Sequence, residues 1–186
     1  MEENIVEIIR KFVEEECKSP NSKYGYEPYE FHFALVHKYA KQLAEDFGAD
    51  IEIIELAAWL HDIGSIIYGR ENHDITGAEI AEKKLKELNY PPEKIEKVKK
   101  CILNHRGSRK NNRETVEEQI IADADSLSHF DNISGIFKAA FVYENKNQKE
   151  AQISAREKLI RSWDKLSPNA KKIIKPKYDA VLLLLT

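Results

Sequence analysis

Only two cysteines, Cys17 and Cys101, occur in 186 residues, and neither belongs to a C-x-x-C pair. That excludes a disulfide framework, a zinc knuckle and a thioredoxin-like motif, and both thiols are read as reduced and structural. Glycine (7) and proline (6) are too scarce for a loop-rich all-β chain. No strand-period segment of useful length, hairpin signal or internal repeat is found either. Long hydrophobic runs are missing: Val181 to Leu185 falls far short of the roughly 20 residues that cross a bilayer, and it is read as the buried end of a last helix. The acidic start Met1-Glu2-Glu3-Asn4 lacks the basic and apolar segments of a signal peptide. A cytoplasmic protein with no membrane partner is therefore expected. A net charge of −3 has the wrong sign for coating nucleic acid, so no stable nucleic-acid partner is expected.

What remains is an ordinary soluble balance, 42% apolar and 33% charged, patterned at helical spacing. The expectation is an all-α single domain over residues 1–186. Ile5, Ile8, Ile9, Phe12 and Val13 give a first amphipathic helix ending near Cys17. A second carries Phe33, Val36, Ala40, Leu43 and Phe47 as far as Gly48, with His32 at its start. Asp50 is the N-cap of a buried third helix from Ile51 to His61, which Gly64 ends. Residues 65–73 read as loop, and Thr76-x-x-Glu79 has capping-box form ahead of a helix through Ile80, Leu85 and Leu88. Pro91-Pro92 opens a helix that reaches His105, and 106–113 is polar loop. Helices follow from Glu114 to about Leu127 and near 132–143, 149–166 and 169–185. Ser167-Pro168 starts the last of these, and Pro176 should kink or split it.

The pair His61-Asp62 stands at the end of the apolar stretch Ile53 to Leu60. A carboxylate in such surroundings costs several kcal/mol unless a cation or donors compensate it, so the pair predicts a partner. Asp123 and Asp125 interrupt a second apolar helical segment, where Asp125 shares a side with Ile121 and Asp123 points elsewhere.

These segments resemble the HD superfamily of metal-dependent phosphohydrolases, with its H…HD…D ligand pattern on a helical bundle. The matching stretches are Phe31-His32-Phe33-Ala34, Leu60-His61-Asp62-Ile63-Gly64 and Ala122-Asp123-Ala124-Asp125-Ser126-Leu127, in that order, over a motif core of about residues 28–140. The resemblance implies an HD-type bundle in which His32, His61, Asp62 and Asp125 hold a divalent metal. His73-Asp74-Ile75-Thr76-Gly77-Ala78-Glu79-Ile80 looks like a further family element, and Asn104-His105 stands where some branches have a histidine pair. Asn104 replaces one histidine of that pair and the G-Y-P signature is absent. The departure from the cyclic-dinucleotide branch favours a mononuclear site.

Two imidazoles and two carboxylates without a thiolate suit Mn, Fe, Co, Ni, Zn or Mg, and such an ion lowers the pKa of bound water from 15.7 toward about 7. The function expected is hydrolysis of a phosphomonoester or phosphodiester, in a nucleotide or another small phosphorylated metabolite. Asp62, His73 and His105 are the catalytic candidates, the two histidines through phosphate binding or proton transfer. The alternatives are a binuclear cyclic-nucleotide or dinucleotide phosphodiesterase and a noncatalytic, metal-containing nucleotide sensor. His37 reads as structural, His129 as a surface or packing residue, and Asp123 as a capping or ligand-orienting acid. A homodimer through the C-terminal helices is one option; the other is that their apolar faces complete the core. In the basic run 94–113, Arg106 and Arg109 flank a glycine turn and are the candidate phosphate contacts, ahead of the helical lysines. Neutralising Arg106 is expected to raise KM for an anionic substrate in steady-state assays, and unchanged kinetics would count against its involvement.

Overall fold

A computed structural model describes residues 4–106 and 113–185. The elements are α1 (Ile5–Lys18), a π-helical turn (Tyr29–Phe33) running into α2 (Ala34–Phe47), α3 (Ile51–Leu60), α4 (Ile63–Tyr68), α5 (His73–Glu87) and α6 (Pro92–Asn104). Then come α7 (Val116–Asp131), α8 (Ile133–Lys138), a second π-helical turn (Ala139–Tyr143), α9 (Gln148–Lys165) and α10 (Pro168–Leu184). There is no strand among the described residues. The fold is an all-α bundle, as the helical periodicity demands.

The short helix α3 is its centre. Asp50 accepts a hydrogen bond from the Ile53 N–H and caps the helix as expected. From Ile53 to Leu60 all but Glu55 are buried, and α3 touches α1, α2, α5, α6 and α7. At about 1.5–3 kcal/mol for each buried Ile or Leu side chain, this helix anchors its neighbours and fixes where its C-terminal end, His61-Asp62, is delivered. α9 and α10 lie against α7.

Several sequence expectations shift. Gly64 does not end a helix. The chain turns at His61-Asp62 and resumes as α4, within which Gly64 sits. Its smallness serves a crossing: a Cβ there would lie 2.4 Å from His73 O and 2.7 Å from Gly77 N on α5. Residues 65–68 of the expected loop are thus helical. α5 starts at His73, because Asn72 adopts a left-handed conformation (φ 50°) that asparagine tolerates. The Thr76 hydroxyl donates to Asn72 O instead of forming a capping box. α7 runs to Asp131, past Leu127. α10 continues through Pro176, which is exposed, so the carbonyl it leaves unpaired can meet water. Within the terminal run Val181 is buried while Leu183 and Leu184 are exposed, since successive residues rotate by about 100° and cannot share one face. No helix among the described residues is long and apolar enough to cross a membrane.

Gly64→Ala should cost about 1–3 kcal/mol, because the added methyl meets the α5 backbone at His73 and Gly77, which cannot give way as the Thr76 hydroxyl beside them could. Urea denaturation would read this as a lower midpoint; an unchanged midpoint would show that α4 and α5 separate freely.

Candidate metal centre

Four interruptions of regular helix bring most of the polar groups together. The π-helical turn, with Ala34 N–H donating to Tyr29 O, carries His32. The break between α3 and α4 carries His61 and Asp62, and Asp62 leaves the first turn of α4 without a side-chain cap, its carboxylate turned elsewhere. The entry to α5 gives His73 and the exit from α6 gives His105. Only Asp125 and His129, one turn apart on α7, come from within a helix.

The ring nitrogens show one pattern. His61 Nδ1 lies 2.8 Å from Ala58 O, His73 Nδ1 2.8 Å from Arg70 O, and His105 Nδ1 2.6 Å from Ile102 O. Each partner is a carbonyl three residues back, so each Nδ1 carries the proton and each Nε2 turns inward with its lone pair. His32 Nδ1 is 3.1 Å from Ser128 Oγ, whose own proton goes to Asp125 O; this too leaves His32 Nε2 facing in. His61 Nε2 and His32 Nε2 are then 3.0 Å apart. Two lone pairs at that distance repel unless a positive centre lies by them.

The carboxylates complete the picture. Asp62 Oδ2 is 3.2 Å from His32 Nε2 and 3.8 Å from His61 Nε2. Its Oδ1 is buried with no hydrogen-bond donor among the described residues, and faces His73 Nε2 at 3.2 Å and His105 Nε2 at 3.4 Å. Asp125 Oδ1 lies 3.8 Å from His32 and 3.6 Å from His129, while Lys165 donates to its Oδ2 at 2.7 Å. Three groups therefore have metal-ligand spacing: His32, His61 and Asp62; Asp62, His73 and His105; and His32, Asp125 and His129. This donor set fits divalent cations, since imidazole and carboxylate acceptors outnumber the protons available to them.

Charge follows from burial and neighbours. Burial pushes His61 down to about 4, helped by His32 and His105. Burial likewise holds His129 well below its ordinary value. For Asp62, burial pushes upward, but the surrounding imidazoles outweigh it and hold the carboxyl well below its usual range. Lys165 and the histidines do the same for Asp125 against burial. His105 goes the other way: burial lowers it, but the Asp62 carboxylate prevails and raises it. The proton His105 would keep is one that a metal displaces.

Of the residues read from the sequence, His32, His61, Asp62, His73, His105 and Asp125 all converge. Arg106 lines the same cavity and pairs with the buried Asp74 at 3.4 Å. Arg109 lies outside the described residues. Asn104 is turned away, its amide donating to Glu118 Oε2 at 2.7 Å. His37 is structural, pairing with Glu55 and stacking on Trp59. Asp123 accepts from Gln119 and from the Ser167 N–H at the start of α10. The reading of His129 as a surface or packing residue is overturned, because its ring stacks parallel to His32 and faces Asp125. Lys165 was not anticipated; it comes from 40 residues beyond Asp125, and no local signal pairs them.

An HD domain family model matches residues 29–169. The chain belongs to the HD domain family. A crystal structure of an HD-superfamily hydrolase from Bacillus thuringiensis superposes with a TM-score of 0.71 at 21% identity, covering 97% of this chain and 92% of that one. The HD fold is thereby shared essentially end to end. Among curated relatives, a tRNA (cytidine(56)-2'-O)-methyltransferase from Picrophilus torridus is 29% identical over 136 residues, 66% of this chain and 38% of that protein. An uncharacterised protein from Clostridium beijerinckii is 36% identical over 101 residues, 52% of this chain and 62% of that one. The matched regions thus span less than two thirds of either relative's length.

Stripped of metal, the HD domain should lose stability as pH falls from about 6.5 to about 4. The unfolded chain takes up protons there that the folded His61 and His129 refuse, so acid favours unfolding. Asp62 and Asp125 extend the loss below pH 3.8. His105 acts in the opposite sense, its contribution being lost as pH rises beyond 6.5. Urea midpoints in chelator at about pH 7 and about pH 5 read the balance, and a midpoint that rises on acidification would contradict a neutral His61.

Proposed function

We propose that this HD domain is a metal-dependent phosphohydrolase acting on a phosphomonoester or phosphodiester of a nucleotide or another small phosphorylated metabolite. The observation that carries the reading is the 3.0 Å approach of His32 Nε2 to His61 Nε2 beside Asp62. Such an arrangement is costly on its own and favourable around a cation.

His32, His61, Asp62 Oδ2 and Asp125 would hold one ion. Asp62 Oδ1, His73 and His105 form a second set of acceptors on the other oxygen of the same carboxylate, which favours a two-ion site and with it the phosphodiester alternative. In that role His73 and His105 are ligands, not proton carriers. Once bound, divalent ions supply Lewis acidity and a nucleophilic water at neutral pH. The rest is done by this chain. The Nδ1 anchors hold the imidazoles in one orientation, so no side-chain reorganisation is needed when charge develops. Lys165, bonded to Asp125 Oδ2 and to His105 O at 3.0 Å, fixes that carboxylate so that Oδ1 faces His32 and His129. Arg106 adds positive charge on the cavity wall for an anionic substrate.

Asp62→Ala should abolish both metal retention and hydrolysis. Elemental analysis of the purified protein, followed by a screen of phosphate esters with Mn, Co, Ni and Mg, checks this. An active, metal-free variant would refute the mechanism, and nucleotide binding by the wild type without turnover in any metal would favour a sensor.

A further inference from the structure

The metal centre opens into a cavity of about 1320 Å³, larger than the ~300–1,000 Å³ usual for small-ligand sites. One wall is α9, which presents Ser154, Lys158, Arg161, Ser162, Asp164 and Lys165 to it. All but Asp164 fall at i, i+4, i+7, i+8 and i+11, a single helical face. The stripe begins at the metal centre, with Lys165 on Asp125 and Ser162 Oγ 2.9 Å from His129 Nδ1. At about 1.5 Å per residue, Lys158 stands roughly 6 Å further along the axis than Ser162, just past the ligand cluster.

Lys158 differs from its cationic neighbours on the wall. Arg70 pairs with Glu144 at 3.1 Å, Lys146 with Glu144 at 2.5 Å and Ser154 at 2.6 Å, Lys138 with Glu27 at 2.6 Å, and Arg106 with Asp74. Lys158 makes no hydrogen bond or ion pair among the described residues, although it is partly buried. Burial pushes its pKa down, opposed by Asp125 and Asp62 nearby. An ammonium kept from water without a counter-charge is a binding site for an anion, and phosphate oxygens supply both the charge and the acceptors it lacks.

We propose that Lys158 holds a second phosphate of the substrate, next to the one hydrolysed at the metal centre, so that the site selects compounds with a di- or triphosphate chain over monophosphates. This rests on the phosphohydrolase reading above. Lys165 and Ser162 are occupied by the ligand cluster and the exposed Arg161 pairs with Glu157 at 3.6 Å, which leaves Lys158 as the partly buried cation of the α9 stripe with all its donors to offer a phosphate beyond it.

The test is calorimetric titration of inorganic tripolyphosphate and of orthophosphate into the protein in saturating Mn, with kcat/KM for a nucleoside triphosphate against its monophosphate. The wild type should bind tripolyphosphate at least tenfold more tightly than orthophosphate. Lys158→Ala should weaken tripolyphosphate binding at least tenfold and narrow the substrate preference, chiefly through KM. Lys158→Gln should do the same if the alanine variant folds poorly, and Lys158→Arg should retain most of the affinity. Lys149→Ala, on an exposed part of α9 outside the cavity, serves as the control for net charge. Equal effects of Lys149→Ala and Lys158→Ala, or equal weakening of orthophosphate and tripolyphosphate, would overturn the assignment. Failure of the wild type to hydrolyse any phosphate ester would refute the enzyme reading while the binding contrast still tested Lys158.

Discussion

The structure around the site depends on one repeated hydrogen bond: a histidine Nδ1–H given to the backbone carbonyl three residues earlier. His61, His73 and His105 all use it, at 2.6 to 2.8 Å. A free imidazole can present either nitrogen and turn about two torsions. Once Nδ1 is committed, the tautomer is fixed and Nε2 has one direction to face. The acceptors also explain where these histidines stand. Carbonyls near the end of a helix have no partner within it, so residues just after a terminus, such as His61 and His105, find an acceptor at hand. His73, at the first position of α5, uses a carbonyl of the preceding loop instead.

That constraint passes into packing. His61 can be held at the end of α3 only if the chain turns at once into α4 and lets α5 approach closely enough for His73 to face the same carboxylate. Gly64 and Gly77 permit this approach, with no side chain of either between the helices. Smallness at Gly64 is therefore as much a part of the site as the ligands, although it touches no metal-ligating atom. α3 bears the corresponding energetic load, because its buried face must stabilise a terminus where carboxylate and imidazoles are partly desolvated.

The sequence made most of this legible. Helical periodicity gave the bundle; His61-Asp62 and Asp125 are readable because they interrupt apolar segments where polar groups are expensive, and His32 only through the resemblance to the H…HD…D pattern. The errors have identifiable physical origins. Gly64 was read as a stop because glycine ends helices for conformational reasons, whereas here it serves a steric one that depends on a neighbour nine or more residues away. His129 belongs to no local motif, yet its position four residues after Asp125 places it on the same helical face, and that spacing is a usable signal. Lys165 and Lys158 could not be found this way. Their relation to Asp125 exists only once α9 has packed on α7, and lysines in a helix rich in charge look like solvated surface until the partner helix is in place.

Charge gives these late-arriving lysines a common logic. Asp62 and Asp125 contribute two negative charges to the ligand cluster and Lys165 one positive, so once His105 has also lost its proton and all the imidazoles are neutral, the metal-free centre is net negative by one. An anion is repelled from that centre. A single divalent cation reverses the sign to net positive by one, and a second makes it more positive still. Attraction of a phosphate is thus conditional on metal loading, and in a site partly screened from water the reversal is felt more strongly than it would be at the surface. Lys165 moderates the cluster without abolishing this dependence, since its charge is spent on Asp125. Lys158, one turn beyond Ser162, makes no bond to the ligand cluster. The α9 wall therefore offers an anion a second set of donors beside a site whose charge the metal creates. Only a ligand with negative charge extended over more than one group can engage both.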